Sequence, residues 1–217
     1  PYASPVVQKS EKAPMRPLDS FPASFTLCPD YVTRVKDQGS AGTCWAFATY
    51  GSTESSTLVE GGQEEDLSEN DLVFHHGFDY SLNDGGQYLM SQAYLSRWSG
   101  PADEADDPYD PQNPQPGPGG DPVCYVRDCK ILNSEDEIKA ALMNLGALYS
   151  QMYWNVSYYD SYNHTYYYSS GSDVNHGVTI VGWDDNKETN ASADGAWLVR
   201  NSWGVSWGDD GYFWISY

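Results

Sequence analysis

Positive charge is scarce in this chain: 11 Lys and Arg stand against 31 Asp and Glu, a formal net charge of −20 over 217 residues. Such a chain repels phosphate backbones and anionic bilayers, which excludes nucleic acid and membrane surfaces as partners. High solubility, salt tolerance or a basic substrate fit the same balance. No uninterrupted apolar run reaches the ~18 residues of a membrane helix, so no membrane insertion is expected. Cysteine is limited to Cys28, Cys44, Cys124 and Cys129. The chain opens on Pro1 with no Met and no signal sequence, which reads as a processed or excised form. Aromatics, by contrast, are abundant: 18 Tyr and 8 Trp raise their share to 15%. That is far from the composition of a disordered chain, and the length suffices for one domain or two small lobes with a core.

Three stretches carry chemistry. Gln38-Gly-Ser-Ala-Gly-Thr-Cys44-Trp45-Ala-Phe lies near the start, with Asn175-His176-Gly and Asn201-Ser-Trp203-Gly far downstream. A nucleophilic cysteine works as the thiolate, and Cys44 opens a helix-like run, where the positive end of the peptide dipoles favours the anion. An imidazolium nearby lowers the thiol pKa further, and an amide that holds the ring in one tautomer completes a Cys-His-Asn arrangement. Singly, each residue has a plain structural reading. A lone cysteine is most often inert core, His176 could end a strand, and Asn201 could sit in a turn. Their order, with the His 132 and the Asn 157 residues after Cys44, favours nucleophilic catalysis.

From about Phe25 to Tyr217 these motifs resemble the papain-like (C1-type) cysteine peptidases. The resemblance implies an α+β, two-lobed fold, with a helical lobe over about 30–120, a β-rich, barrel-like lobe over about 121–217, and a cleft between them. It implies roles for four catalytic residues: Cys44 as nucleophile, His176 as base and acid, Asn201 as orienter, and Gln38 with the Cys44 N–H as oxyanion donors. Trp203 is similar to the indole that shields the His–Asn pair. Asn175, Gly85 and Gly86 fall on the substrate-binding side, where glycine permits close backbone approach. The family's usual Cys-Gly-Ser-Cys-Trp stands here as Ala41-Gly-Thr-Cys44-Trp45, and its Cys-Asn-Gly-Gly as Asn83-Asp-Gly85-Gly86. Both partners of one bridge are therefore replaced together.

Along the chain, residues 1–22 read as an extended, proline-rich arm, either the remnant of a propeptide or a strap over the surface. A first helix is expected from about Thr43 to Val59, stopped by Gly61-Gly62. Ser68 with Asp71 caps a second, a third covers Gly86–Trp98, and Ser134-Glu-Asp-Glu137 opens a fourth, ended by Gly146. Strands are expected at Ala147–Trp154, Gly177–Asp184, Ala196–Asn201 and Gly211–Tyr217. Pro101 to Pro122, rich in proline and acid, reads as a solvated loop without the spacing of an EF-hand, and its Glu104–Tyr109 stretch resembles the segment by which the family's members leave their helical lobe. Tyr153–Tyr168 reads equally as a binding surface or as a packed strand pair. Cys124 and Cys129 could close a short disulfide. His75-His76 beside Asp79 reads as surface or packing, because adjacent helical residues point apart. No metal and no cofactor are expected.

The expected function is hydrolysis of peptide bonds in protein or peptide substrates, through an acyl-thioester on Cys44. An acyl transfer through the same thioester, or a catalytically silent surface adhesin on a peptidase scaffold, are the alternatives. The chemistry and three glycosylation sequons, at Asn155, Asn163 and Asn190, lean towards an extracellular or cell-surface setting.

Overall fold

The computed structural model describes residues 20–217, so the arm expected over 1–22 lies, up to residue 19, outside the described residues. Helix α1 (Cys44–Val59) runs through the middle of the protein. From Trp45 to Ser55 most of its side chains are buried, as befits a helix packed on more than one side. On one side α1 meets α2 (Glu69–His75) and α3 (Tyr88–Ser96), and Trp45, Tyr50, Leu67, Leu72, Met90 and Tyr94 close that core. On the other it meets strands β5 (His176–Asp184) and β2 (Leu148–Met152). Gly51 makes this approach possible. A Cβ there would strike the Arg200 guanidinium and the Thr179 hydroxyl.

The sheet is built on β5, which is buried along almost its whole length. Strand β2 pairs antiparallel with its first half, Met152 opposite His176, and β1 (Ser24–Thr26) pairs with its second half, Phe25 opposite Trp183. On the other edge come β6 (Ala196–Arg200) and β7 (Tyr212–Ser216), both antiparallel, with a register shift between Ile180 and Gly182. The short pair β3 (Tyr159–Asp160) and β4 (Thr165–Tyr166) follows, β4 running parallel to β7. Helix α4 (Glu135–Leu145) packs its Ala141 and Leu142 face on the sheet, beside a core of Val178, Val181, Trp183, Val199 and Phe213.

The cap signals act as read. Ser68 Oγ accepts from the Asp71 N–H at 2.9 Å and Ser134 Oγ from the Glu137 N–H at 3.2 Å, each satisfying a donor that a helix start would otherwise leave bare. Helix α1 ends at Glu60, with Gly61 at φ +81°, where a β-carbon would be strained. Four strands fall within a residue or two of their expected places, and the third helix is shorter than expected. The tyrosine-rich stretch contains the β3–β4 pair. The suggested disulfide is not formed: Cys124 is half-buried and Cys129 exposed, both free, and no turn folds the intervening chain back.

Candidate active site

The fold delivers three remote segments to one place. Cys44 is the first residue of α1, half-buried, and the next strand over begins with His176. The backbone N–H of Gly177, directly after His176, donates to Cys44 Sγ at 3.3 Å. A Cβ at Gly177 would crowd the backbone of Cys44 and Trp45, at 3.1–3.3 Å. Across β5, Asn201 follows β6 and its Oδ1 lies 2.8 Å from His176 Nε2. The amide oxygen can only accept, so Nε2 carries the proton and Nδ1 is the ring nitrogen available to a thiol. Asn201 Oδ1 also accepts from the Ser202 N–H at 2.9 Å, which fixes the amide in turn.

Aromatic rings surround this pair. Trp203 stacks on the His176 ring at 4.6 Å and 25°. Trp154 and Trp207 meet the Trp203 indole edge-on, each at 4.9 Å. His176 and Asn201 are only 6% and 3% exposed. Burial pushes the His176 pKa down to about 4, with the Asn201 bond pulling the other way. Burial likewise pushes the Cys44 thiol up, opposed by the backbone N–H groups of Gly177, Trp45 and Cys44 itself. Each group alone is thus held neutral by desolvation. Moving the thiol proton to the imidazole creates two charges at once, and in so dry a site each offsets the other's burial.

Gln38 is buried and tightly held. Its Nε2 donates to the Ala41 carbonyl at 2.8 Å, its Oε1 accepts from Ser202 Oγ at 2.6 Å, and its backbone N–H donates to the Ser202 carbonyl at 2.8 Å. One Nε2 hydrogen remains beyond the Ala41 bond. Gly86 lies flat on the Trp45 indole, with no room for a Cβ, while Gly85, at φ +77°, faces open space. Asn175 is exposed, and its side chain clasps the backbone of Trp154, accepting at 2.5 Å and donating at 3.0 Å. Where the replaced disulfide would join Ala41 and Asn83, Asn83 Oδ1 accepts from the Gly42 N–H at 3.1 Å. A hydrogen bond holds the same two segments together.

Several residues hold this geometry in ways that their sequence does not show. Tyr109, in the loop read as solvated, is buried. Its hydroxyl donates to the Gln38 carbonyl at 2.8 Å and lies 2.8 Å from Thr43 Oγ1, pinning both sides of the Gln38–Cys44 loop. Trp154 and Trp207 had no signal beyond their type. Ser202 stood inside the Asn-Ser-Trp-Gly motif, which was the available clue.

A thiol at a helix start, an imidazole–amide pair at a strand start and a held glutamine amide define a nucleophilic acyl-transfer site. The family model of the papain family cysteine proteases matches residues 21–217, and the chain belongs to that family. Cathepsin L 2 of Paramecium tetraurelia is 33% identical over 186 residues, covering 82% of this chain and 54% of that protein. Cysteine proteinase 1 of Zea mays is 30% identical over 230 residues, covering 95% and 59%. The chain therefore spans little more than half the length of these curated relatives. Among solved structures, the cysteine protease and lectin-like domains of Cwp84, a surface layer associated protein of Clostridium difficile, superpose with a TM-score of 0.85 at 28% identity, covering 92% of this chain and 49% of that one. Digestive procathepsin L 3 of Tenebrio molitor larval midgut gives 0.65 at 25%, covering 95% and 66%. The fold is accordingly the α+β papain-like one.

Proposed function

We propose that this chain is a thiol endopeptidase. The observation that carries the reading is the buried His176–Asn201 pair set beside Cys44 by the Gly177 contact. Cys44 Sγ attacks the scissile carbonyl carbon while its proton passes to His176 Nδ1. The carbonyl oxygen becomes an oxyanion, received by the Cys44 N–H and the free Nε2 hydrogen of Gln38. Each such donor is typically worth about 3 kcal/mol in the transition state. Collapse breaks the C–N bond, the leaving amine takes the proton from His176, and an acyl-thioester remains. Water, deprotonated by the same imidazole, then releases the acid and restores the thiol. Asn201 holds the ring through these steps, and Trp203 keeps water from their hydrogen bond.

Gly85, open and able to offer its backbone, suits an extended peptide on the cleft wall. Trp203 and the Asn175–Trp154 clasp shape the opposite wall. Protein and peptide substrates follow from this reading. An extracellular or cell-surface setting is supported by the acidic surface and by the likeness to a surface layer associated protease. Among the described residues no helix is long and apolar enough to cross a membrane. The test is hydrolysis of an unfolded protein substrate by the chain and by Cys44→Ala. Turnover is expected to vanish in the variant while its circular dichroism is unchanged; turnover that survives would refute the mechanism.

A further inference from the structure

A second cluster of reactive side chains lies away from the cleft. Asp71 and His75 stand one turn apart on α2, and Asp107 reaches them from the Pro101–Pro122 segment. One donor atom from each of the three lies within 4.8 Å of the others. His75 Nδ1 is 3.1 Å from Asp71 Oδ1 and 3.9 Å from Asp107 Oδ2, and it also lies 3.2 Å from the Asp71 carbonyl, a contact that an ion would replace. The two carboxylates are 2% and 1% exposed, whereas the His75 side chain is 39% exposed, so a small solute can reach the cluster past the imidazole. His76 takes no part: its Nδ1 accepts from the Phe78 N–H and its ring meets Trp45.

The other contacts to the two carboxylates come from neutral donors. Asp71 Oδ2 accepts from the Tyr94 hydroxyl, Asp107 Oδ1 from Asn70 Nδ2 at 2.8 Å, and Asp107 Oδ2 from the Gly119 N–H at 3.2 Å. A separate observation points the same way. Asn70 is 2% exposed, and its amide lies against Asp107 through Nδ2, yet its Oδ1 is buried with no hydrogen-bond partner. The amide that holds Asp107 thus has a buried oxygen acceptor left without a donor, a costly arrangement in a dry interior.

We propose that Asp71, His75 and Asp107 form a binding site for a divalent transition-metal ion of the zinc class, with the Asn70 amide holding Asp107 in place. Separations of 3.1 and 3.9 Å from His75 Nδ1 to the two carboxylates, with all three donors within 4.8 Å, suit a small ion about 2.0–2.2 Å from each donor. An imidazole nitrogen with carboxylates favours zinc, cobalt or manganese over calcium and magnesium, which take all-oxygen sets. The site's consequence follows from where Asp107 sits. Two residues on, Tyr109 holds the Gln38 carbonyl and Thr43. A bound ion ties α2 to the segment that braces the oxyanion loop, a structural role rather than a catalytic one.

The test uses metal-stripped Cys44→Ala protein, so that the nucleophilic thiol cannot itself take the ion. Zinc and cobalt are titrated by calorimetry, with calcium as the comparison. One ion per chain is expected, with a visible cobalt absorption band, and with affinity at least tenfold weaker when His75→Gln is added. His75 is half-exposed, so that second change leaves the fold intact; Asp107→Asn provides an independent check. No uptake, or uptake unaffected by His75→Gln, would overturn the site. Calcium binding as tightly as zinc would overturn the donor assignment.

Discussion

Lys36→Met is the substitution whose cost the structure bounds best. Lys36 is two residues before Gln38, and its ammonium is nearly buried, at 8% side-chain exposure. It donates to Glu54 Oε1 at 3.0 Å, Glu69 Oε1 at 2.9 Å and the Leu67 carbonyl at 2.9 Å, and lies 2.8 Å from Asp66 Oδ1. Glu54 and Glu69 are 0% and 1% exposed, so removing the cation strands their carboxylates away from water. Breaking a buried pair from one side costs about 3–5 kcal/mol, against ~0.2–1 for an exposed pair. The same network contains its own control, since Arg34–Asp66 at 2.7 Å is 63% and 41% exposed. Arg34→Ala should cost under ~1 kcal/mol.

The pH dependence sharpens this prediction. Burial raises the Glu69 pKa from 4.5 to about 8, with Lys36 pulling it back and Glu54 pushing it on. The folded chain therefore holds a proton that the unfolded chain has released. The associated stability is full below about 4.5 and is lost as pH rises through about 8. Without Lys36 the Glu69 pKa rises further still, so wild type starts to release its proton near pH 8 while the variant keeps it. The cost of Lys36→Met is therefore larger at pH 8.5 than at pH 5.5. Urea unfolding of both proteins at the two pH values measures the difference. A cost below ~1 kcal/mol at both, or a larger cost at pH 5.5, would refute the reasoning.

In Cys44→Ala, His176 has no thiolate to pair with and burial alone governs it. Its folded pKa of about 4 lies below the ordinary 6.5, so this contribution to stability is full above pH 6.5 and is lost as pH falls towards 4, by about 3 kcal/mol. Adding His176→Gln should remove that slope; an unchanged slope would contradict it. Gly86→Ala sets a Cβ into the buried Trp45 indole and should cost about 1–3 kcal/mol in urea unfolding; a neutral result would show that the cleft wall is pliant there. Tyr109→Phe leaves the Gln38 carbonyl without its donor and should cost about 1–3 kcal/mol, with kcat falling more than KM rises. A change in KM alone would mean that Tyr109 does not act through the oxyanion loop.

What could be read from sequence was local or ordered. Helix starts were legible because Ser68 and Ser134 hydrogen-bond three residues ahead, and helix ends because Gly61 and Gly146 take positive φ. The Cys44, His176 and Asn201 constellation was legible because each falls in a motif of its own. Contacts across the chain were not. Strand β1 has three residues and exists only because β5 offers an edge. Tyr109 reaches back 71 residues to Gln38, and nothing near it in sequence marks the acidic loop as a brace. His75 was read against its neighbours, His76 and Asp79, whereas its partners are Asp71 one turn back and Asp107 from another segment. Nothing in the sequence singles out Lys36, since its three carboxylates converge only in the fold.

The central claim is that Cys44 reacts as a thiolate held by His176. Iodoacetamide labelling from pH 4 to 9, quantified by peptide mass spectrometry against Cys28 as the internal reference, tests it most directly. The account predicts alkylation of Cys44 alone that persists below pH 6, and its collapse at that pH in His176→Ala, where burial without a counter-charge keeps the thiol protonated. Labelling of Cys44 that rises only near pH 8.5 would contradict it.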